Sequence, residues 1–552
     1  MMMNKTQNSK MQSATNKLIV NISAMLVLSM LTTYVSADER ESLEQLKATT
    51  TNLIDLLVKE GVLPKDKAEA MMKKATEDAA KQIKQAKALD AISNTEANKK
   101  APNEKPEDAK TVRVQYVPEH IKNEMREEIE MKVMSKLHYK VEDRLGLPEW
   151  IDRVAFNGDI RLRYEHDGFD NGNASITALN NVNRNANIAN STEDRDRFRL
   201  RARLGADVEA NSWLKGGLRL TTGLITDPVS PNQTEGASQG KYTLGLDRAY
   251  LAASPLPWVS VQGGRFANPF FHTDLMWDPD LAFDGVAATF KPKINDAFSS
   301  ETTVGAFPID EIQASEVNKA QDKWLYALQT GIKWQGQNKS SARIGLAYYD
   351  YENVEGQPSP FGTTLYDASI PAFRQKGNNT FVVNAANTPA AGSEKYGLAS
   401  KFKLIDVTGQ VDLMTFDPVH VTLTGDYVRN IGFDRAEIKK RTGADFAEET
   451  DGYQVRLDVG QNSFNGGSSV EVKPNDWQVS FAYKRLEADS VLDAFTDSDF
   501  HLGGTDAEGW VIGGNYAIDK NAWVNARYYS ADSITGPNLS IDVLMLDFIA
   551  KF

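Results

Sequence analysis

Arginine at every second residue is the pattern in this chain that comes nearest to specifying a chemistry. Arg197, Arg199, Arg201 and Arg203 alternate with Phe198, Leu200, Ala202 and Leu204, while Arg161 and Arg163 sit among Ile160, Leu162 and Tyr164. In an extended chain, alternate residues share one face. Lys215 and Arg219 continue the series. Cations packed this closely repel one another unless water or acids stand opposite them. Asp159, Glu165, Asp207 and Asp247 lie near enough to offset part of the charge. Such a face is either a basic wall that selects or orients solutes, or a solvated surface with no selective role. A second constellation runs from Asn268 to Asp280, unusually aromatic for a loop and carrying Asp274, Asp278 and Asp280. Folded inward, it would bury its aromatics and present carboxylates to the arginines at a constriction. Folded outward, it would pack on other loops.

Catalysis has little to draw on. The histidines are His120, His138, His166, His272, His420 and His501. Only His272 near Asp274 and His501 near Asp499 are loop His/Asp neighbours, and sequence neighbours rarely form a catalytic pair. No Gly-x-Ser-x-Gly, His-Glu-x-x-His or phosphate loop accompanies them. The absence of cysteine excludes disulfides, thiolate nucleophiles and zinc–cysteine sites. The mixed run from Val491 to His501 matches no standard calcium loop and reads as an ordered loop. No enzyme activity, metal or cofactor is expected.

The elements that must position the arginines begin after a leader. Residues 1–37 carry Lys5, Lys10 and Lys17, a mostly apolar run from Leu18 to Leu31, and the small-residue site Val35-Ser36-Ala37, as a signal peptide does. Removing these three lysines takes the net charge from −13 to −16, which argues against a nucleic-acid partner. Residues 38–98 read as helical, with a heptad seam at Leu43, Leu46, Thr50, Leu53 and Leu57. The seam joins subunits as a short coiled coil or folds on its neighbour. Residues 99–154 form a linker and a charged amphipathic helix ending at Leu147-Pro148-Glu149-Trp150.

From about residue 155 the hydrophobic period changes to two. Sixteen runs fit the length of tilted transmembrane strands: 155–166, 196–209, 213–226, 241–254, 257–265, 282–291, 298–307, 323–335, 339–351, 404–416, 418–430, 452–461, 476–488, 506–517, 521–531 and 541–552. Tight turns such as Asn211-Ser212, Pro255-Leu256 and Asp519-Lys520 alternate with long gaps, the longest at 352–403. Two joints, 395–403 and 462–475, leave the count uncertain by two. No later segment has 18 consecutive apolar residues, so a membrane protein of this composition must be a closed barrel. The expected fold is therefore an all-β transmembrane barrel of sixteen antiparallel strands over 155–552, preceded by a small helical segment. In lipid each arginine would cost about 2–4 kcal/mol near the midplane, so the arginine face must be the lumen face.

The last run puts Leu544, Leu546, Phe548, Ala550 and Phe552 on one parity. It resembles the carboxy-terminal strand of bacterial outer-membrane barrels, in which the aromatic terminus is recognised by the assembly machinery. If the barrel closes, this run must pair with Ile160, Leu162 and their neighbours. Other segments extend the likeness: Leu56-Leu57-Val58-Lys59-Glu60-Gly61-Val62-Leu63, Val112-Arg113-Val114-Gln115-Tyr116-Val117-Pro118-Glu119, Leu147-Pro148-Glu149-Trp150, Gly158-Asp159-Ile160-Arg161-Leu162-Arg163-Tyr164-Glu165, Phe416-Asp417-Pro418-Val419-His420-Val421-Thr422-Leu423 and Asp497-Ser498-Asp499-Phe500-His501-Leu502-Gly503-Gly504. Together they resemble the proteobacterial "putative porin" family over essentially the whole mature chain. Asp247-Arg248-Ala249-Tyr250-Leu251 through Gly263-Gly264-Arg265-Phe266 is also similar to the general trimeric porins ahead of their inward loop, although Pro255-Leu256-Pro257 departs from them.

The resemblance implies an outer-membrane barrel with a periplasmic helical extension, passing small hydrophilic solutes or ions by diffusion. It implies outer-membrane lipid, the barrel assembly machinery and a homotrimer as partners, with Phe548 and Phe552 in the assembly signal. The rival expectation is structural: the helical segment tethers the envelope, at peptidoglycan, and the barrel only anchors it.

Overall fold

The computed structural model describes residues 151–552, except 184–187, 391, 462–463 and 465–471. The leader, the helical segment with its Leu43–Leu57 seam, nearly all of 99–154 and most of the 462–475 connection lie outside the described residues.

Sixteen antiparallel strands close into a barrel. In chain order β1 to β16 are Val154–Phe169, Arg195–Glu209, Leu214–Thr222, Leu244–Leu256, Val259–Ala267, Ala282–Phe290, Phe298–Asp310, Lys323–Gln335, Ser341–Glu352, Phe402–Phe416, Val419–Asn430, Asp451–Gly460, Trp477–Leu486, Ala507–Asp519, Ala522–Ser533 and Ser540–Lys551. Each pairs with its chain neighbours, and β1 pairs with β16 from Asp159↔Lys551 to Phe169↔Ile541. Ile160 faces Ala550 and Leu162 faces Phe548, as the expected closure requires. Gly158 and Phe552 extend the seam by exchanging backbone hydrogen bonds of 3.0 and 3.1 Å. A Cβ on Gly158 would lie 2.5 Å from Phe552 Cζ and 2.6 Å from the Arg203 carbonyl oxygen, so glycine is what lets the last ring cross the strand.

Burial is inverted relative to a water-soluble sheet. On β1, Asp159, Arg161, Arg163, Glu165 and Asp167 are buried, while Ile160 and Leu162 are 44% and 48% exposed. Leu218, Leu346, Leu423, Val479 and Leu546 are likewise exposed on the outer face. That face suits lipid, and closure leaves no backbone edge unpaired.

Three details differ from the sequence reading. β3 ends at Thr222 rather than 226. Gly223 has φ +115°, and a Cβ there would meet Ser230 O at 2.8 Å, so the chain leaves the sheet where only glycine fits. The loop that follows lays Gln233–Thr234 against Arg199 and Leu200 of β2. The turn after β4 falls at Pro257-Trp258, not Pro255-Leu256, because Leu256 still pairs with Val259. Proline suits the turn, having no N–H to give a ladder. Finally, 396–398 extends no barrel strand: Tyr396–Leu398 pairs with Thr380–Val382 in a separate small sheet.

Among the described residues the long connections hold two short α-helices, α1 (Ile176–Asn183) and α2 (Arg435–Thr442). Asp434 caps α2 by accepting from the Ala436 and Glu437 amides at 3.0 Å. Three long loops turn into the lumen. Phe270, Leu275, Met276 and Trp277 of the 268–281 loop are buried against Phe283, Phe307, Leu325, Tyr349 and Phe402, together with Val491 and Leu492 of the 487–506 loop. The 353–401 loop joins them, Asn378 donating to the Ala488 and Val491 carbonyls at 2.6 and 2.8 Å. One side of the lumen is therefore a packed aromatic core, and the β1–β4 side remains polar.

The inverted parity is testable. Leu162→Arg puts a guanidinium on the outer face and should lower the folding free energy in lipid vesicles by about 2–4 kcal/mol, read from the urea midpoint. An unchanged midpoint would mean that Leu162 faces water.

Candidate functional site: an arginine layer between two chambers

The register of β1 on β2 creates an electrostatic problem. Arg161 faces Arg201 and Arg163 faces Arg199 directly across the ladder. Like charges in that position are destabilising. Between β3 and β4 the same occurs at Arg219 and Arg248.

Acids relieve most of this. Arg201 and Arg203 both turn to Asp159, at 2.7 and 2.6 Å. Arg197 and Arg199 share Glu165, the latter at 3.0 Å, and Arg197 also reaches Asp167 at 3.1 Å. Arg163 meets Asp547 of β16 at 2.7 Å and Asp499 of the 487–506 loop at 3.1 Å. Arg527 of β15 joins Asp499 at 3.2 Å. Asp280 of the 268–281 loop lies 3.0 Å from Arg203 and 3.6 Å from Arg201. Arg219 pairs with Asp247. Burial alone would raise the Asp280 and Asp499 carboxyls, but the arginines around them hold both below the usual carboxylate range.

The compensation stops one short. In this patch Arg161, Arg163, Arg197, Arg199, Arg201, Arg203 and Arg527 face Asp159, Glu165, Asp167, Asp280, Asp499 and Asp547. Arg161 makes no ion pair among the described residues. It is 7% exposed, one Nη donates to the neutral Asn232 Oδ1, and its buried Nε has no acceptor. Arg248 is left the same way because Arg219 takes Asp247, and its buried Nε also has no acceptor.

Two cavities flank this layer along the same wall. On the loop side a chamber of about 410 Å³ is bordered by Asp167, Arg195, Arg197 and Arg199. On the turn side one of about 550 Å³ is bordered by Asp159, Arg203, Arg219 and Arg248. On β1 and β2, Arg161, Arg163 and Arg201 stand between them.

The acids of the 268–281 loop divide by role. Asp280 reaches the arginines. Asp274 is 2.7 Å from Lys484 of β13 and accepts from Gln454 at 2.9 Å, across the lumen. Asp278 faces no arginine: it accepts from the backbone of Ser498 and Asp280 at 2.9 and 2.7 Å, and burial beside Asp280 and Asp497 pushes its carboxyl well above the usual range. Gln329 clamps Phe271 by its backbone N–H and carbonyl, both at 2.7 Å, and Arg343 lies 4.0 Å over the Phe271 ring.

Lys215 does not join the cluster; it is exposed at the turn end, paired with Glu209. Asp207 accepts from Asn157 at 2.7 Å. Phe548 faces outward, and Phe552 is 64% exposed at the seam. Sequence reasoning missed Asp499, Asp547, Arg527 and Arg248. Arg248 escaped because Asp247 is an extra residue at a register shift between β3 and β4, which defeats the alternation of faces.

The inward loops carry a pH dependence. Burial, helped by Asp493 and Glu449, pushes Asp489 up to about 7, although Asn379 donates to it twice. A carboxyl raised in the fold binds a proton the unfolded chain has lost, so stability falls as pH rises from about 4 to about 7 and then levels. Asp489→Asn should flatten that slope, removing as much as about 4 kcal/mol of pH dependence in urea titrations from pH 4 to 8. An unchanged slope would take Asp489 out of the account.

Residues 47–552 match the model of the Putative porin family. Solved structures that are similar in fold include the high-pH structure of Pseudomonas putida OprB, at 14% identity and TM-score 0.41 over 73% of this chain and 96% of that one. The outer membrane channel DcaP of Acinetobacter baumannii is 12% identical, with TM-score 0.37 over 72% and 97%. Salmonella typhi OmpF in complex with daunomycin is 8% identical, with TM-score 0.37 over 72% and 97%. No curated protein matches by sequence. The family match takes in the whole barrel and its arginine layer: this chain belongs to the Putative porin family.

Proposed function

We propose that this porin passes small hydrophilic solutes or ions by diffusion along its β1–β4 wall, and that it favours anions. Family and fold are those of an outer-membrane channel rather than an enzyme. The observation that carries the anion preference is Arg161, a buried guanidinium without a carboxylate partner, between two chambers. The three inward loops support a narrow route, since they pack on the opposite side of the lumen. A passing anion supplies the charge that Arg161 lacks, and a passing cation meets a surplus of one positive charge.

The wider proposal keeps the expected setting: a cleaved leader, a periplasmic helical segment, delivery by the assembly machinery through Phe548 and Phe552, and a homotrimer. Contact of the helical segment with peptidoglycan belongs to the same proposal.

Planar-bilayer recordings test the channel. A folded, heat-modifiable protein without ion-permeable openings would leave the tethering role instead. Arg161→Gln should shift the reversal potential toward cations. One unit charge about 4 Å from the path is worth about 1–4 kcal/mol, so the anion/cation permeability ratio should fall at least about fivefold. An unchanged potential would sink the reading of Arg161. Deleting residues 38–98 should leave a conducting barrel but weaken trimers in native gels, and trimers that persist would make the Leu43–Leu57 seam irrelevant.

A further inference from the structure

We propose that the loop-side chamber is a binding site for a small amphipathic anion, an organic carboxylate carried on a ring or short apolar body. The inference rests on the porin reading for the route by which the anion arrives.

The chamber's volume, about 410 Å³, falls within the roughly 300–1,000 Å³ of small-molecule sites. Its lining carries more basic than acidic groups: Arg195, Arg197, Arg199, Arg374 and Lys376 against Asp167 and Asp227, with Glu165 behind Arg197 and Arg199 and Asp493 behind Arg374. Several donors there are unspent. The Arg199 Nε is buried without an acceptor. Arg195, at the rim, makes no ion pair among the described residues. Lys376 is buried, which lowers its amine to about 7, and it donates to two neutral acceptors, the carbonyl oxygens of His501 and Gly503. Among the described residues no carboxylate lies within 4 Å of it.

The remaining wall is mostly apolar, with Asn190, Ser230, Gln375 and Ser498 set into it. Val229, Leu539 and Ile541 are buried there, and Phe373 stands beside them. Phe373 and Asp227 also border a second cavity of about 270 Å³, which continues to Trp277, Phe283 and Phe495. A ring that enters past the cations therefore meets Phe373, which packs on the aromatic core, beside the Asp227 carboxyl.

These two features select together. An inorganic anion satisfies the guanidinium groups but leaves the Phe373 wall wet. A neutral arene covers that wall and leaves the cations uncompensated. A carboxylate with an apolar body uses both, its oxygens taking paired N–H donors from arginine while its body displaces water from Phe373, Leu539 and Ile541.

The test uses the full chain folded in detergent, with sodium benzoate, sodium acetate and benzyl alcohol as probes, and equilibrium binding read by calorimetry and saturation-transfer NMR. Benzoate should bind at least tenfold more tightly than either other probe. Phe373→Ala and Arg195→Gln should each weaken benzoate at least fivefold, with the saturation-transfer signal lost from the ring in the Phe373 variant. Equal binding of benzoate and acetate, or benzoate binding unmoved by both substitutions, would overturn the proposal. Because binding is read without current, a conducting barrel that ignores benzoate refutes this inference alone. A barrel that binds benzoate but does not conduct refutes the porin reading alone.

Discussion

An arginine on the outer face of this barrel would stand in hydrocarbon, at about 2–4 kcal/mol near the midplane. That penalty drives every guanidinium of β1 and β2 inward, and the ladder then sets Arg161 against Arg201 and Arg163 against Arg199. Much of the interior answers this one constraint. Asp159 and Glu165 come from the same strands, Asp547 from the strand that closes the barrel, and Asp280 and Asp499 from loops that reach back into the lumen. Closure of β1 on β16 is thus electrostatic as well as a matter of backbone pairing, since Arg163 lies directly opposite Asp547.

The same constraint divides the lumen. Where β6 to β11 turn Phe283, Phe307, Tyr349 and Phe402 inward, the loops bring Phe270 and Trp277 to pack against them. Where β1 to β4 turn arginines inward, polar chambers persist on either side of the charged layer. Asp278 ties the 268–281 and 487–506 loops together through Ser498, and Lys484 holds both from across the barrel through Asp274 and Asp497. On the proposed reading selectivity rests on a small difference between large opposing charges, since in this layer six carboxylates leave one guanidinium of seven without an acid.

Much of this was legible in the alternation of residue types. A period of two, broken by turn residues, gives the strand count to within two, and the cost of charge in lipid assigns each parity its face without structural help. The aromatic content of the 268–281 loop marked it as unusual for an exposed surface but left inward and outward packing both open. What could not be read was partner choice across the lumen. Asp274, Asp278 and Asp280 look equivalent in sequence, yet they end on Lys484, on the Ser498 backbone and on Arg203. Arg248 was hidden by the extra residue at Asp247, which reverses parity locally, and Lys215 shares the arginine parity but stops at the exposed rim. The 487–506 loop carries the same mixture of acids and apolar residues as the 268–281 loop. Its reach to Arg163 depends on barrel diameter, which no local pattern encodes.

The zero-current potential of the unmodified porin under a potassium chloride gradient tests the central claim most directly. With one guanidinium left uncompensated in the narrow layer, the potential should take the sign set by chloride, and added salt should diminish the preference by screening it. A potential with the sign set by potassium would contradict the account.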